Sequence, residues 1–143
     1  MEELVGKIID KIFISKDEYT IAFQVDDGEV IAYSTVADCC SESWFADIIG
    51  LEAVKGYDRY RGSNLDSRRV RQVIECDMHW YNVEDGRGRQ NFDQAYGYAI
   101  YTGYGVLKIA FRNSSNGYYG GWLCQTKNAD ISKMKEIHSD WSA

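Results

Sequence analysis

The sequence predicts an α+β fold: an antiparallel β-sheet core with one inserted helix at about 39–49 and a C-terminal helix at about 130–141. Three observations lead there. Strand-forming segments come in pairs around turn signals, as residues 19–25 (YTIAFQV) and 29–35 (EVIAYST) do around Asp26-Asp27-Gly28. The stretch from Asp38 to Gly50 carries helix-cap residues at both ends. Near the C-terminus, Ile131, Met134 and Ile137 recur at i, i+3 and i+6, with Trp141 one turn later. Runs of strands with one helix inserted and one appended make an α+β architecture. A chain of 143 residues and 16.4 kDa fits a single domain, 1–143.

The elements follow in order. Leu4, Val5, Ile8, Ile9, Ile12, Phe13 and Ile14 form a first apolar run whose β-branched content favours a strand, bent at Gly6. The hairpin across Asp26-Asp27-Gly28 comes next. In the predicted helix, Asp38 or Ser41 accepts from the free amides of the first turn, Glu42 suits its positive end, and Gly50 provides the left-handed stop. Trp44, Phe45 and Ile48 then cover the hairpin as core residues rather than ligand contacts. Residues 51–56 are a short connection or strand, and 57–67 a polar loop. Residues 69–81 read as a strand with Val70, Val73 or Ile74 inward. Gly86 and Gly88 mark a turn. Residues 95–102 and 106–111 flank Gly103-Tyr104-Gly105 as a second hairpin, and 118–126 form the last strand.

Composition narrows the function. The net charge is −6, with 16 Lys+Arg against 22 Asp+Glu, so the chain is a poor general binder of DNA or RNA. Residues 1–54 carry a net −9, whereas 55–89 and 90–143 carry +2 and +1, leaving room for a local anion pocket in the second half. No apolar stretch is long enough for a membrane span, and no secretory signal pattern is present. Cys39, Cys40, Cys76 and Cys124 lack metal-ligand spacing, so reduced thiols in a cytoplasm, without metal or cofactor, are expected. Aromatics reach 14%, more ring surface than one small core needs, which points to a binding site or a homo-oligomer interface.

Catalytic constellations are thin. His79 and His138 have no carboxylate or Cys at ligand spacing, and a structural or surface role is the expectation for both. Residues 111–122 differ. Arg112, Asn113, Ser114, Ser115 and Asn116 sit between two apolar strands, followed by Gly117, Tyr118, Tyr119, Gly120, Gly121 and Trp122. Arginine forks onto phosphate, asparagine amides read ribose hydroxyls or a base edge, and rings stack on a base. An ordinary Gly-Asn turn between strands is the competing explanation, and for Arg112 the alternative is a pair with a carboxylate elsewhere that holds two strands together. Arg59, within Gly56-Tyr57-Asp58-Arg59-Tyr60-Arg61, and Asn91 with Phe92 are further candidates on chemistry alone.

The motifs Ala37-Asp38-Cys39-Cys40-Ser41-Glu42-Ser43-Trp44-Phe45 and Arg112 to Gly121, with Leu4-Val5-Gly6-Lys7-Ile8 and Asp26-Asp27-Gly28, resemble a family of small phage and prophage proteins known as a domain of unknown function. That group is similar to, and is taken to include, the Thoeris anti-defence sponge proteins. The resemblance spans most of residues 4–126. It implies a non-enzymatic, homo-oligomeric immune-evasion protein acting in the host bacterial cytoplasm. Such a protein binds a cyclic ADP-ribose isomer, and in some cases cyclic oligonucleotides, and holds it uncleaved. It carries a ligand role over to Arg112. Asn113, Asn116, Tyr118, Tyr119, Arg59, Asn91 and Phe92 remain candidates from their chemistry. Two alternatives stand beside it: an enzyme degrading such a signal, and a protein-binding inhibitor of a bacterial nuclease that uses the acidic N-terminal half.

Overall fold

The computed structural model describes residues 1–37, 41–55, 65–77, 92–115 and 122–143. It is an antiparallel β-sandwich rather than an α+β fold. Its strands are β1 (Ile9–Ile14), β2 (Thr20–Val25), β3 (Val30–Val36), β4 (Ser41–Ile49), β5 (Gln72–Asp77), β6 (Phe92–Thr102), β7 (Gly105–Ser115), β8 (Trp122–Thr126), β9 (Lys135–Glu136) and β10 (Trp141–Ser142). They form two five-stranded sheets, β8-β3-β2-β1-β9 and β10-β4-β7-β6-β5. The α-helix among the described residues is a single turn, α1 (Glu52–Lys55).

Both predicted helices are therefore corrected. Residues 41–49 are β4, paired along their length with β7 from Ser41↔Ser115 to Ile49↔Lys108. The helix misread has a physical source. Residues 43–48 of β4 are all buried, so the strand shows no in–out alternation, and a bulge at Ala46 breaks the period further. Asp38 lies outside the described residues, and Gly50, with φ +90, ends a strand instead of a helix. A Cβ there would meet the Val106 carbonyl oxygen at 2.3 Å, so the residue is required by close packing. The C-terminal helix is replaced by a one-turn 3-10 segment (Ile131–Lys133), β9 and β10. Its apolar residues serve different partners. Ile131 and Met134 pack on the outside of the first sheet, while Ile137 enters the core.

The hairpins form as read. β2 pairs with β3 from Thr20↔Ser34 to Gln24↔Val30, and β6 with β7 from Phe92↔Ser115 to Thr102↔Gly105. The N-terminal run splits. Leu4 sits in a 3-10 turn (Glu2–Leu4), the chain bends at Gly6 with φ +85, and β1 begins at Ile9. In the strand that follows residue 69, Val70 and Val73 are buried, and Ile74 points outward at 38% exposure.

Between the sheets lie Ile12, Ile14, Ile21, Phe23, Ile31 and Tyr33 from the first, and Phe45, Ile48, Ile100, Leu107, Ile109 and Phe111 from the second. Phe111 is the hub of a ring cluster with Phe45 (6.2 Å, edge-on), Tyr96 (5.4 Å, stacked) and Tyr98 (6.4 Å, stacked). Arg68 ties one end of the sandwich, donating to the carbonyls of Val54 (2.7 Å) and Ile9 (3.0 Å). At that end Asp140 accepts from the amides of Gly50 and Leu51, both at 3.0 Å.

Candidate functional site

Directly opposed residues on neighbouring antiparallel strands share a sheet face. In the second sheet, Phe45, Phe111 and Tyr96 therefore face inward, and their neighbours Trp44, Arg112 and Ala95 form a row on the outer face. The next row towards the β7 C-terminus is Glu42, Ser114 and Asp93. An outer face normally meets water, yet Trp44 and Arg112 are only 0% and 1% exposed, and Ala95, Ala110 and Ser114 are also buried.

Arg112 holds this patch together. Its Nε donates to Asp93 Oδ1 at 3.1 Å, and its Nη2 donates to and pairs with Asp93 Oδ2. Its guanidinium carbon lies 4.9 Å from the centroid of the Trp44 ring. A planar cation on an indole face with a two-point carboxylate clasp is a geometry that arginine provides and lysine does not. Asn113, on the other face of the strand, accepts from the Ser43 hydroxyl through Oδ1 at 2.9 Å and is buried.

The topology gathers strand ends around this patch. β4 begins with Ser41, β6 with Phe92 and β7 ends at Ser115, and these three residues lie in one cross-strand row. At the neighbouring corner, β3 ends and β8 begins as Val36↔Trp122. The turn after β1 is tied to the same pole. The Phe45 amide donates to the Glu18 carbonyl at 2.8 Å, and the Tyr19 hydroxyl to Glu42 Oε1 at 2.9 Å. The connections 37–41, 77–92 and 115–122 thus all leave from one pole of the sandwich.

The sequence candidates divide accordingly. Arg112 and Asn113 lie within β7, in the pole region, and Phe92 is the first residue of β6. Asn116, Tyr118, Tyr119 and Asn91 lie outside the described residues, next in chain to strand ends of this pole. Arg59 also lies outside them, in a connection that begins after α1 on the Arg68 side of the molecule. Arg112 was expected at a rim where β7 ends. Instead the strand runs on to Ser115, and the guanidinium is buried in the sheet's outer face. Trp44 and Phe45 are core, as expected, but on opposite faces of a strand. Among the described cysteines, Cys76 and Cys124 are free thiols. His138 is largely exposed, 2.9 Å from Glu136 Oε2, and His79 lies outside the described residues.

Asp93 was not singled out as the partner of Arg112, although the signal was available. Counting outward from the two-residue turn Gly103-Tyr104 places Arg112 opposite Ala95 and diagonal to Asp93, within reach of a long side chain. Trp44 was likewise read as plain core, and its role as the floor beneath a cation follows only from the β4–β7 register.

Comparison with known proteins adds three findings. Residues 2–124 match the model of the family described as Domain of unknown function (DUF7448). An uncharacterized protein of Acanthamoeba polyphaga mimivirus is 35% identical over 98 residues, which is 63% of this chain and 63% of that protein. No solved structure matches.

Proposed function

This chain belongs to the DUF7448 family, and on that premise we propose that it is a virus-encoded anti-defence sponge. It binds a cyclic ADP-ribose-type immune signal and holds it uncleaved, as a homo-oligomer in the cytoplasm of the host bacterium. One observation carries the reading. The pole that presents the ends of β4, β6 and β7 is organised around a buried cation, Arg112, clasped by Asp93 and seated on Trp44. The same β7 leads directly into Asn116, Tyr118 and Tyr119. The relative in a virus is consistent with a viral origin. No helix among the described residues is long and apolar enough to cross a membrane.

In this reading the work is divided. A cyclic ADP-ribose-type signal offers a pyrophosphate, two riboses and a base. Asp93 and Trp44 hold the Arg112 side chain in one place and keep it from collapsing when ligand leaves. Pre-ordering of this kind reduces the entropy lost on binding. Asn116 and Asn91 provide amides for hydroxyls, and Tyr118, Tyr119 and Phe92 provide ring faces. Sequestration requires tight binding and no bond cleavage, so neither a nucleophile nor a general base is needed.

The test is direct. The protein is incubated with a cyclic ADP-ribose isomer, denatured, and the supernatant is chromatographed. Intact nucleotide with saturable binding by calorimetry supports the sponge. A product peak means an enzyme, and no binding removes the proposal. Tyr118→Ala should weaken affinity about tenfold or more, the value of one base–ring stack, with the fold unchanged. Light scattering should return a multiple of 16.4 kDa.

A further inference from the structure

An open groove of about 580 Å³ lies where the β1–β2 turn meets the C-terminal segment, lined by Lys16, Ser132, Lys133, Met134 and Lys135. Three of its five lining residues are cations, in a chain with six more acidic than basic residues. We propose that this groove binds a phosphate-bearing anion, at a site distinct from the Arg112 patch.

The argument rests on where the nearby carboxylates are spent. Asp17, next to Lys16, accepts from the Ser15 hydroxyl (2.6 Å) and the Tyr19 amide (3.0 Å) through Oδ1. The Ser15 hydroxyl is the leading reason its carboxyl is held below the usual range. Asp130 caps the 3-10 turn. Its Oδ1 accepts from both the hydroxyl (2.6 Å) and the amide (3.1 Å) of Ser132, and Lys133 reaches Oδ2 only at 4.0 Å. Glu136 meets Lys11 (3.7 Å) and His138 (2.9 Å). Asp17 and Asp130 are thus tied into local turn bonds and Glu136 into contacts with Lys11 and His138, which leave their charge in place but fix where it sits. Lys16 and Lys135 make no ion pair among the described residues.

The frame is built rather than incidental. Lys135 is fixed by β9 pairing opposite Ile14, and Lys16 by the bonded turn. Met134 packs on the cluster of Phe13, Ala22 and Ala32, giving the groove an apolar floor. Four of the five lining residues lie beyond residue 124, where the family match ends. Ammonium groups are compact point charges that suit a multiply charged, compact anion better than a single carboxylate.

Inorganic pyrophosphate is the probe. Calorimetry at low ionic strength should show saturable binding that weakens with added salt. Lys135→Glu should weaken it at least tenfold, while Lys11→Glu, whose lysine is paired with Glu136, should leave it within about twofold. Circular dichroism confirms that both variants fold. Adenosine diphosphate binding more tightly than pyrophosphate would name a free nucleotide as the source. Preferential sedimentation with vesicles containing an anionic phosphate headgroup, over neutral vesicles, would name a lipid. Absence of saturable pyrophosphate binding, or binding indifferent to Lys135→Glu, overturns the proposal. Because Arg112→Lys should leave this binding intact, a failed nucleotide site and a failed groove remain distinguishable.

Discussion

The two sheets bury their outer faces with different chemistry. On the first, Phe13, Ala22 and Ala32 lie beneath Ala129, Ile131 and Met134, a hydrocarbon contact made by the chain's own C-terminal segment. On the second, the buried row is Ala95, Arg112 and Trp44, with Asp93 alongside. A hydrocarbon cover stabilises in proportion to the apolar area it removes from water. An ion pair with one partner buried does not. Against a well-packed apolar replacement it is usually neutral or costly. Stability alone accounts for the first face and leaves the second unexplained. Residues that work against the simplest packing are expected where a molecule has a task besides folding.

Four experiments test that contrast, the largest effect first. Trp44→Ala should lower unfolding free energy by about 3–5 kcal/mol, the range for a fully buried large side chain, measured by urea denaturation. A loss below about 1 kcal/mol would mean that the second face is open in solution, and the contrast would vanish. Next, Arg112→Met should cost about 2–3 kcal/mol. That is reduced from the range for breaking a fully buried pair, because Asp93 keeps 22% of its side chain exposed. The double change Arg112→Met with Asp93→Leu should recover most of that loss while abolishing nucleotide binding. If the double variant is as unstable as the single one, the pair is structural and the functional reading of this face is lost.

On the hydrocarbon face, Met134→Ala should cost about 1–2 kcal/mol, below the range for a fully buried methionine because the residue is half-buried. It should not alter binding at the Arg112 patch. The smallest effect concerns a polar contact that is neither face. The Tyr33 hydroxyl donates to Glu3 Oε2 at 2.6 Å. That bond is the leading cause holding the Glu3 carboxyl below its ordinary value, and burial, then the same bond, raises the Tyr33 hydroxyl. A lowered acid stabilises above its unfolded pKa and loses that contribution as pH falls. A raised phenol stabilises below about pH 10 and loses its contribution as pH rises beyond. Tyr33→Phe should flatten both limbs of a melting-temperature profile. An unchanged acid limb would show that the contact contributes nothing measurable.

Legibility in the sequence followed the same division. The hairpins could be read because their turns, Asp26-Asp27-Gly28 and Gly103-Tyr104-Gly105, fix register locally. β4 could not, since a strand buried on both faces looks like any apolar run, and Asp38, Ser41 and Gly50 resemble caps by composition. Residues 131–137 imitate helical spacing because Ile131 and Met134 serve one surface and Ile137 another. Arg112 stands out in the sequence for its polar and glycine-rich neighbours, but its burial depends on pairing with β4 across nearly seventy residues of chain. No local pattern encodes that.

The C-terminal segment has a kinetic consequence. Its short strands close both sheets at once, β9 on Phe13 and Ile14, β10 on Asp47 and Ile48, with Ile137 donating to the Ile12 carbonyl at 2.8 Å and Ala143 to that of Ala46 at 2.8 Å. Partners more than ninety residues apart form late, because loop closure must come before the contact gains anything, and two-residue strands open easily. Amide protons of 135–143 should therefore exchange well ahead of those in β6 and β7, and each opening would uncover Ile137 and with it the space between the sheets. This segment sets how often the interior meets water.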